Sequence, residues 1–562
     1  GYPVETGVGQ LCAARATKSL HKALDEISVF IRKLPDSDRA FQRFFLLTHL
    51  HNDPSVSADE LESARAGLAV AVNSLSWKET LASLRPVDAE KTVFALDLRE
   101  VGWERAGLWA EIGKRHPYSL RQNRSPNLEL KAFDEFIAAS TKEEVPIVRG
   151  DWFALTATRP PLYHLILDLP KTEAELERLL EVDLEKSFLE KDPAKTTLKR
   201  AAFADSEVSS QNRLVELVAA KYGHYSKSYD FKNNDGKSNL ATHPLGPQYR
   251  DNPFPEQAFD HAGGEIIFTL PNGLQGYLLV DKQGRRIDEA PAEIVSDPFR
   301  TAGTPLIVNG LSCMRCHANG LIRVSDGFGI SAAKGRLFDP PARLKLEQLH
   351  LPASAINGEI NKNNERFRAA ADAAIGRVIL GKPSKKLRDG VGSMADRFNA
   401  DLSIERASAE LLLPQLQEFK AALSANLKFE RAGLAPFSDG GTIKRLAWQS
   451  LDGGVSPFQV AAAELDLGRT PLNGGIPVFT PNARVEFVVR AALKDGMKLE
   501  TRWIEPGGSK RLTQATAKKD GDFFLRLFVD PEQGKTWALG DYKMEFYADG
   551  TLVREESFRI AR

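Results

Sequence analysis

The chain has 562 residues, too many for one core, and the length argues for about three to five domains. Lys plus Arg number 75 and Asp plus Glu number 75, so no net field favours nucleic acid or an anionic membrane surface, and no apolar run is long enough to span a bilayer. There are three cysteines, Cys12, Cys313 and Cys316, too few for a disulfide framework in a chain of this size.

In chain order, Leu20, Leu24, Ile27, Ile31 and Leu34 recur at helical spacing before Pro35. Ser57-Ala-Asp-Glu60 is a capping box opening a second amphipathic helix through Leu75. Cys12 falls on an expected helix and reads as a buried structural thiol. Phe94, Leu96 and Leu98 alternate as in a strand, and Thr172-Glu-Ala-Glu175 caps a charged, Leu-rich helix. Residues 265–270 and 274–280 are apolar, β-branched and aromatic runs joined by Pro271-Asn-Gly273, the pattern of an antiparallel hairpin. Ile356, Ile360, Phe367, Ala371 and Ala374 mark one long helix, followed by a helical pair over residues 402–423 broken around Pro414. From about residue 476 the pattern turns to alternating strands at 485–490, 499–504, 523–529, 542–547 and 552–560, at sandwich-like intervals.

The expected fold is therefore a multidomain α+β chain. A helical N-terminal region (1–90) leads to an α+β region (91–230), a small antiparallel sheet region (231–335), a helical region (336–440) and an immunoglobulin-like β-sandwich (441–562).

Chemistry concentrates at Asn309-Gly-Leu-Ser-Cys-Met-Arg-Cys-His-Ala-Asn-Gly320. Two thiols three positions apart, followed at once by an imidazole, form the c-type haem attachment pattern. The spacing lets one helical turn present Cys313 and Cys316 to the two vinyl groups of one haem, while His317 coordinates the iron from the proximal side. A structural zinc site needs a fourth nitrogen or sulfur ligand and normally a second Cys pair. A thioredoxin-like pair needs no trailing histidine, and a simple disulfide also leaves His317 unexplained.

Haem c is attached outside the bacterial cytoplasm, so the motif implies an exported, periplasmic protein. A start at Gly1, without a basic and apolar leader, fits a mature form. The run Gly263-Gly-Glu-Ile-Ile-Phe-Thr-Leu-Pro-Asn-Gly-Leu-Gln275, with residues 309–317 after it, resembles large cytochrome c domain-containing proteins of planctomycetes and related bacteria. The resemblance extends over about residues 46–448. It takes in Asn73-Ser-Leu-Ser-Trp77, Arg159-Pro-Pro-Leu-Tyr-His164 and Lys227-Ser-Tyr-Asp-Phe231. It implies one covalent haem c and an exported location, and no assigned reaction.

Function then turns on the iron's second axial ligand. His261, beside the sheet, is ranked first, followed by His243, His224 and Met394, with an open position as the remaining case. Lys227, Tyr229, Tyr225, Glu265 and Arg300 are candidate polar groups for a distal site. Electron transfer with a redox partner protein or a small-molecule donor or acceptor is the leading expectation. A haem peroxidase or small-molecule oxidoreductase, or a haem-based ligand-binding sensor, is the alternative. Nucleic acid is not an expected partner.

Overall fold

The computed structural model describes residues 18–118, 128–206, 208–297, 300, 302–412, 416–425, 433–449, 478–479, 481, 485–493, 495–508, 510–518, 521–529 and 536–560. Cys12 and Pro414 lie outside the described residues. The expected helices form where spacing and caps place them. Leu20–Arg32 buries Ala23, Leu24, Ile27 and Ile31, and Ala58–Ser74 opens on a two-way capping box between Ser57 and Glu60. Thr172 and Glu175 cap Glu173–Leu180 in the same way.

Three β-systems organise the chain. In the first, β1 (Gln42–Leu46), β2 (Arg85–Pro86), β3 (Val93–Asp97) and β4 (Ile147–Arg149) form a sheet in the order β2-β3-β1-β4. Strand β1 runs antiparallel to β3 and parallel to β4. The second is a five-stranded antiparallel meander, β5 (Lys199–Phe203), β6 (Arg213–Ala220), β7 (Gly223–Asp230), β8 (Gly263–Thr269) and β9 (Gln275–Asp281). Farther on, a short ladder pairs β10 (Glu289–Ala290) with β11 (Ile307–Val308). The third holds β12 (Val478–Phe479), β13 (Val485–Leu493), β14 (Lys498–Ile504), β15 (Lys510–Thr516), β16 (Gly521–Val529), β17 (Gly540–Ala548) and β18 (Thr551–Ile560). These strands pair as β12-β18-β17-β14-β15 and β13-β16.

The chain is thus α+β with several sheets, as its patterning predicts, but two expected borders move. The first sheet pairs β1 with β3 across the 90/91 border, and the meander pairs β7 with β8 across 230/231. Both borders fail because each sheet recruits strands far apart in sequence. One continuous apolar core runs from Ala23 to Trp448, and a separate core around Trp503, Met544, Phe546 and Phe558 serves the C-terminal strands.

A buried ion network ties the first sheet to later helices. Arg149 bonds Glu410 at 2.7 Å and Asp151 at 2.6 Å, and Arg445 grips both oxygens of Glu410 at 2.6 and 2.7 Å. The indole N–H of Trp448 also donates to Glu410, and His49 lies 2.9 Å from Asp151. His116 Nε2 accepts the backbone N–H of Arg149. Burial, with Arg149 adding to it, lowers the His116 pKa from 6.5 to about 3, against an opposing pull from Asp151. A histidine held neutral in the fold is protonated in the unfolded chain below its ordinary pKa. Its stabilising contribution is therefore intact above pH 6.5 and is lost as pH falls toward 3. Between pH 7 and 5 the chain should lose about 2 kcal/mol through this residue. In urea titrations at the two pH values, the loss in His116→Gln should be smaller by that amount, and an equal loss in both proteins contradicts the assignment.

Candidate functional site

The five-stranded meander has two dissimilar faces, because side chains alternate along each strand. Phe203, Arg213, Val215, Leu217, Ser226, Ser228, Glu265 and Ile267 share one face, and all of them line a cavity of about 410 Å³. That volume is within the range of small-molecule and cofactor pockets, about 300–1,000 Å³. Leu321 to Ser325 bound the cavity on another side, with Ile356 and Ile360 from the long helix Ala353–Gly376. The attachment helix, Leu311–Cys316, contributes Ser312, Cys313 and Cys316, with His317 at its C-cap.

Local geometry explains why the motif presents all three groups together. Gly310 (φ 85°) opens the helix, where a Cβ would come within 2.4 Å of the Thr158 carbonyl oxygen. Gly320 (φ 102°) closes the following turn, where a Cβ would meet Asn364 Oδ1 at 2.2 Å. Both places accept glycine alone without rearrangement. Asn364 accepts from the N–H and donates to the carbonyl of Leu321, at 2.7 and 2.8 Å. Asn357 makes the same pair of bonds with Val324, at 3.0 and 2.7 Å. Asn357, Asn361 and Asn364 recur at helical spacing, so one helix face holds the cavity rim; Asn361 takes Arg323 at 3.3 Å.

His317 Nδ1 lies 3.3 Å from the Gly320 carbonyl oxygen, and its ring stacks on Tyr277 with centroids 6.3 Å apart. In the tautomer protonated at Nδ1, that nitrogen donates to Gly320 and leaves the Nε2 lone pair available to a metal, the usual arrangement of a ligating histidine. Nε2 is 3.8 Å from Glu265. Burial alone would raise the Glu265 pKa, but His317, Arg213 and the Cys313 thiol together hold it down to about 2. Burial, and then Glu265, push the Cys313 thiol well above its ordinary value. Cys313 is buried and Cys316 exposed, so the two thiols sit at different depths of one site. The donor set, the apolar walls and the fixed imidazole fit a covalently held haem. Among the described residues no group of three or more His, Cys, Asp or Glu side chains is placed to hold a metal ion.

Sequence runs that lie far apart converge on this sheet. Tyr163 Oη donates to the Tyr277 carbonyl and accepts its N–H, at 3.1 and 2.8 Å. The Asn309 side chain donates to His164 Nε2 at 2.9 Å. Asn272 donates to the Asn73 carbonyl at 2.9 Å, and Trp77 stacks on Phe268 with centroids 5.7 Å apart.

The first-ranked second ligand, His261, requires correction. Its ring packs edge-on against Tyr229 and Phe259, and Tyr229 lies on the sheet face opposite the cavity by strand alternation. Burial, reinforced by Lys227, lowers the His261 pKa to about 4. Tyr225, Lys227 and Tyr229 share that opposite face. Lys227 pairs with Glu173 there, while Tyr225 donates to Glu177 at 3.3 Å and Tyr229 to Glu216 at 2.9 Å. Of the proposed polar groups only Glu265 lines the cavity, and Arg300 is exposed. His243 bonds Thr242 at 2.9 Å, and Met394 is buried on the helix Gly390–Asn399, packed toward Gly67. His224 shares the cavity's sheet face but is not among its lining residues; it bonds Thr269 at 2.8 Å and faces Asn363 and Arg366. No family model, curated protein or solved structure matches the chain.

Proposed function

We propose that the chain is an exported bacterial c-type cytochrome with one covalent haem c, working in electron transfer with a redox partner protein or a small-molecule donor or acceptor. The observation that carries this reading is that Cys313, Cys316 and His317 line one cavity. Each thiol would add across one vinyl double bond, sulfur to one carbon and hydrogen to the other, and His317 Nε2 would bind the iron. Bound haem supplies one-electron chemistry. The chain's own residues orient the imidazole through Gly320, hold the rim through Asn357 and Asn364, and surround the site with Val215, Leu217, Ile267, Ile356 and Ile360. Low polarity around a haem is one of the means by which a protein sets its potential.

The likeness to planctomycete cytochrome c domain-containing proteins belongs to the same proposal, since the runs that carry it meet at this sheet. The C-terminal strands are read as an immunoglobulin-like module without chemistry of its own. The test is haem staining of the full chain after secretion through a c-type maturation system and denaturing electrophoresis. A haem signal that travels with the polypeptide is expected, and a polypeptide without haem signal contradicts the reading.

A further inference from the structure

We propose that a haem held by His317 receives no second histidine or methionine ligand from this chain, and that the cavity admits a small uncharged ligand of the carbon monoxide or nitric oxide type at the second axial position. The inference rests on the haem reading above and goes on to say what the site binds.

It is carried by the makeup of the cavity walls. The chain has ten histidines and four methionines, and every one of them lies among the described residues. Of these fourteen side chains, His317 is the one that lines the cavity. His164 Nε2 takes the Asn309 amide, while His350 is held through Nδ1 by Asp326 at 2.7 Å and His224 through Nδ1 by Thr269 at 2.8 Å. The buried Nε2 atoms of His350 and His224 have no hydrogen-bond partner among the described residues, but neither side chain is part of the cavity lining. Met314 is buried within the attachment helix itself. The lining from the sheet and the long helix is Phe203, Val215, Leu217, Ile267, Ile356 and Ile360, interrupted by Arg213, Ser226, Ser228 and Glu265. Apart from the Glu265 carboxylate, which lies 3.8 Å from His317 Nε2 and 3.9 Å from Arg213, none of these is a strong iron ligand, and at Ser226 and Ser228 short side chains stand where a histidine or methionine could otherwise reach inward.

Charge selects the class of ligand. Asp205, Glu265 and Asp297 line the cavity against Arg213 and Arg323, and Arg213 is committed to Asp230 at 2.8 Å. Two haem propionates would add further negative charge. Such walls disfavour anions such as azide and favour a neutral diatomic, with the Ser226 and Ser228 hydroxyls as the neutral polar groups nearby.

The experiment is the optical spectrum of the purified full-length holoprotein, reduced with dithionite, before and after addition of carbon monoxide, with azide added to a separate oxidised sample. A high-spin reduced spectrum that shifts on binding one carbon monoxide per haem is expected, with no shift from azide at the same concentration. The response should be unchanged in His261→Gln and in His224→Gln. A low-spin reduced spectrum indifferent to carbon monoxide overturns the inference, and conversion of that spectrum to high-spin by His224→Gln would make His224 the ligand. Azide binding as tight as that of carbon monoxide overturns the assigned ligand class. Haem staining of the same samples separates the two levels. A stained polypeptide indifferent to carbon monoxide defeats this inference alone, whereas an unstained one defeats the haem reading itself.

Discussion

Replacing Cys313 and Cys316 together with alanine is expected to abolish covalent haem completely, seen as loss of all haem stain from the polypeptide after denaturing electrophoresis. Each single replacement should retain a reduced signal, since one thioether still survives denaturation. The double variant should also unfold at lower urea concentration than the holoprotein. A cofactor that binds the folded state alone stabilises it, and here it would cover the inward faces of Val215, Leu217, Ile267, Ile356 and Ile360. Full haem stain in the double variant would remove the attachment assignment altogether.

The largest effect expected away from the Cys313/Cys316/His317 cavity is at Glu410. Its carboxylate is 3% exposed and is hydrogen-bonded by two guanidinium groups, Arg149 and Arg445, and by the indole N–H of Trp448, with a third guanidinium, Arg406, at 3.9 Å. Burial opposes its charge, but Arg149 and Arg445 overcome that and hold its pKa far below the ordinary carboxylate range. Glu410→Gln keeps the shape and removes the charge, leaving two buried cations without their shared partner. Breaking a buried ion pair from one side costs about 3–5 kcal/mol, read as a shift in the urea unfolding midpoint. The double variant Glu410→Gln/Arg445→Met should lose less than the sum of the two single variants, because the residues are directly coupled. A loss under about 1 kcal/mol for Glu410→Gln would show that the network adds little beyond its packing.

The elements most legible in the sequence are those whose local signals agree with their tertiary surroundings. The capping boxes at Ser57 and Thr172, the apolar spacing of Leu20 to Ile31 and of Ile356 to Ala374, and the Pro-Asn-Gly turn each read directly into structure. Strand β7 does not. Its residues, Gly-His-Tyr-Ser-Lys-Ser-Tyr-Asp, carry polar groups on both faces, because Ser226 and Ser228 look into the cavity and Lys227, on the other face, pairs with Glu173. Period-2 hydrophobicity is absent there because buried polar groups lie on both faces, so the five-stranded meander appears in the sequence only as its last hairpin.

The same blindness to facing explains the ligand candidates. His261 stands out because it precedes β8 in sequence, but proximity along the chain says nothing about which side of a sheet a residue joins. Glu265 lies two residues into β8 and does reach the cavity. The asparagines that hold the rim leave a faint signal: Asn357, Asn361 and Asn364 repeat at helical spacing beside the apolar stripe of Ile356, Ile360 and Phe367. That signal gains meaning only once the segment it binds, Leu321 to Val324, lies across it. By contrast, Cys313, Cys316 and His317 are adjacent in sequence, and a single helical turn brings them together in any fold that accommodates the helix.

The most direct test of the central claim is mass spectrometry of proteolytic fragments of the secreted full-length protein, directed at the fragment containing residues 313–317. The account predicts that this fragment carries the added mass of one haem, linked through both Cys313 and Cys316. A fragment of unmodified mass, or one lighter by two hydrogens from a Cys313–Cys316 disulfide, would contradict it.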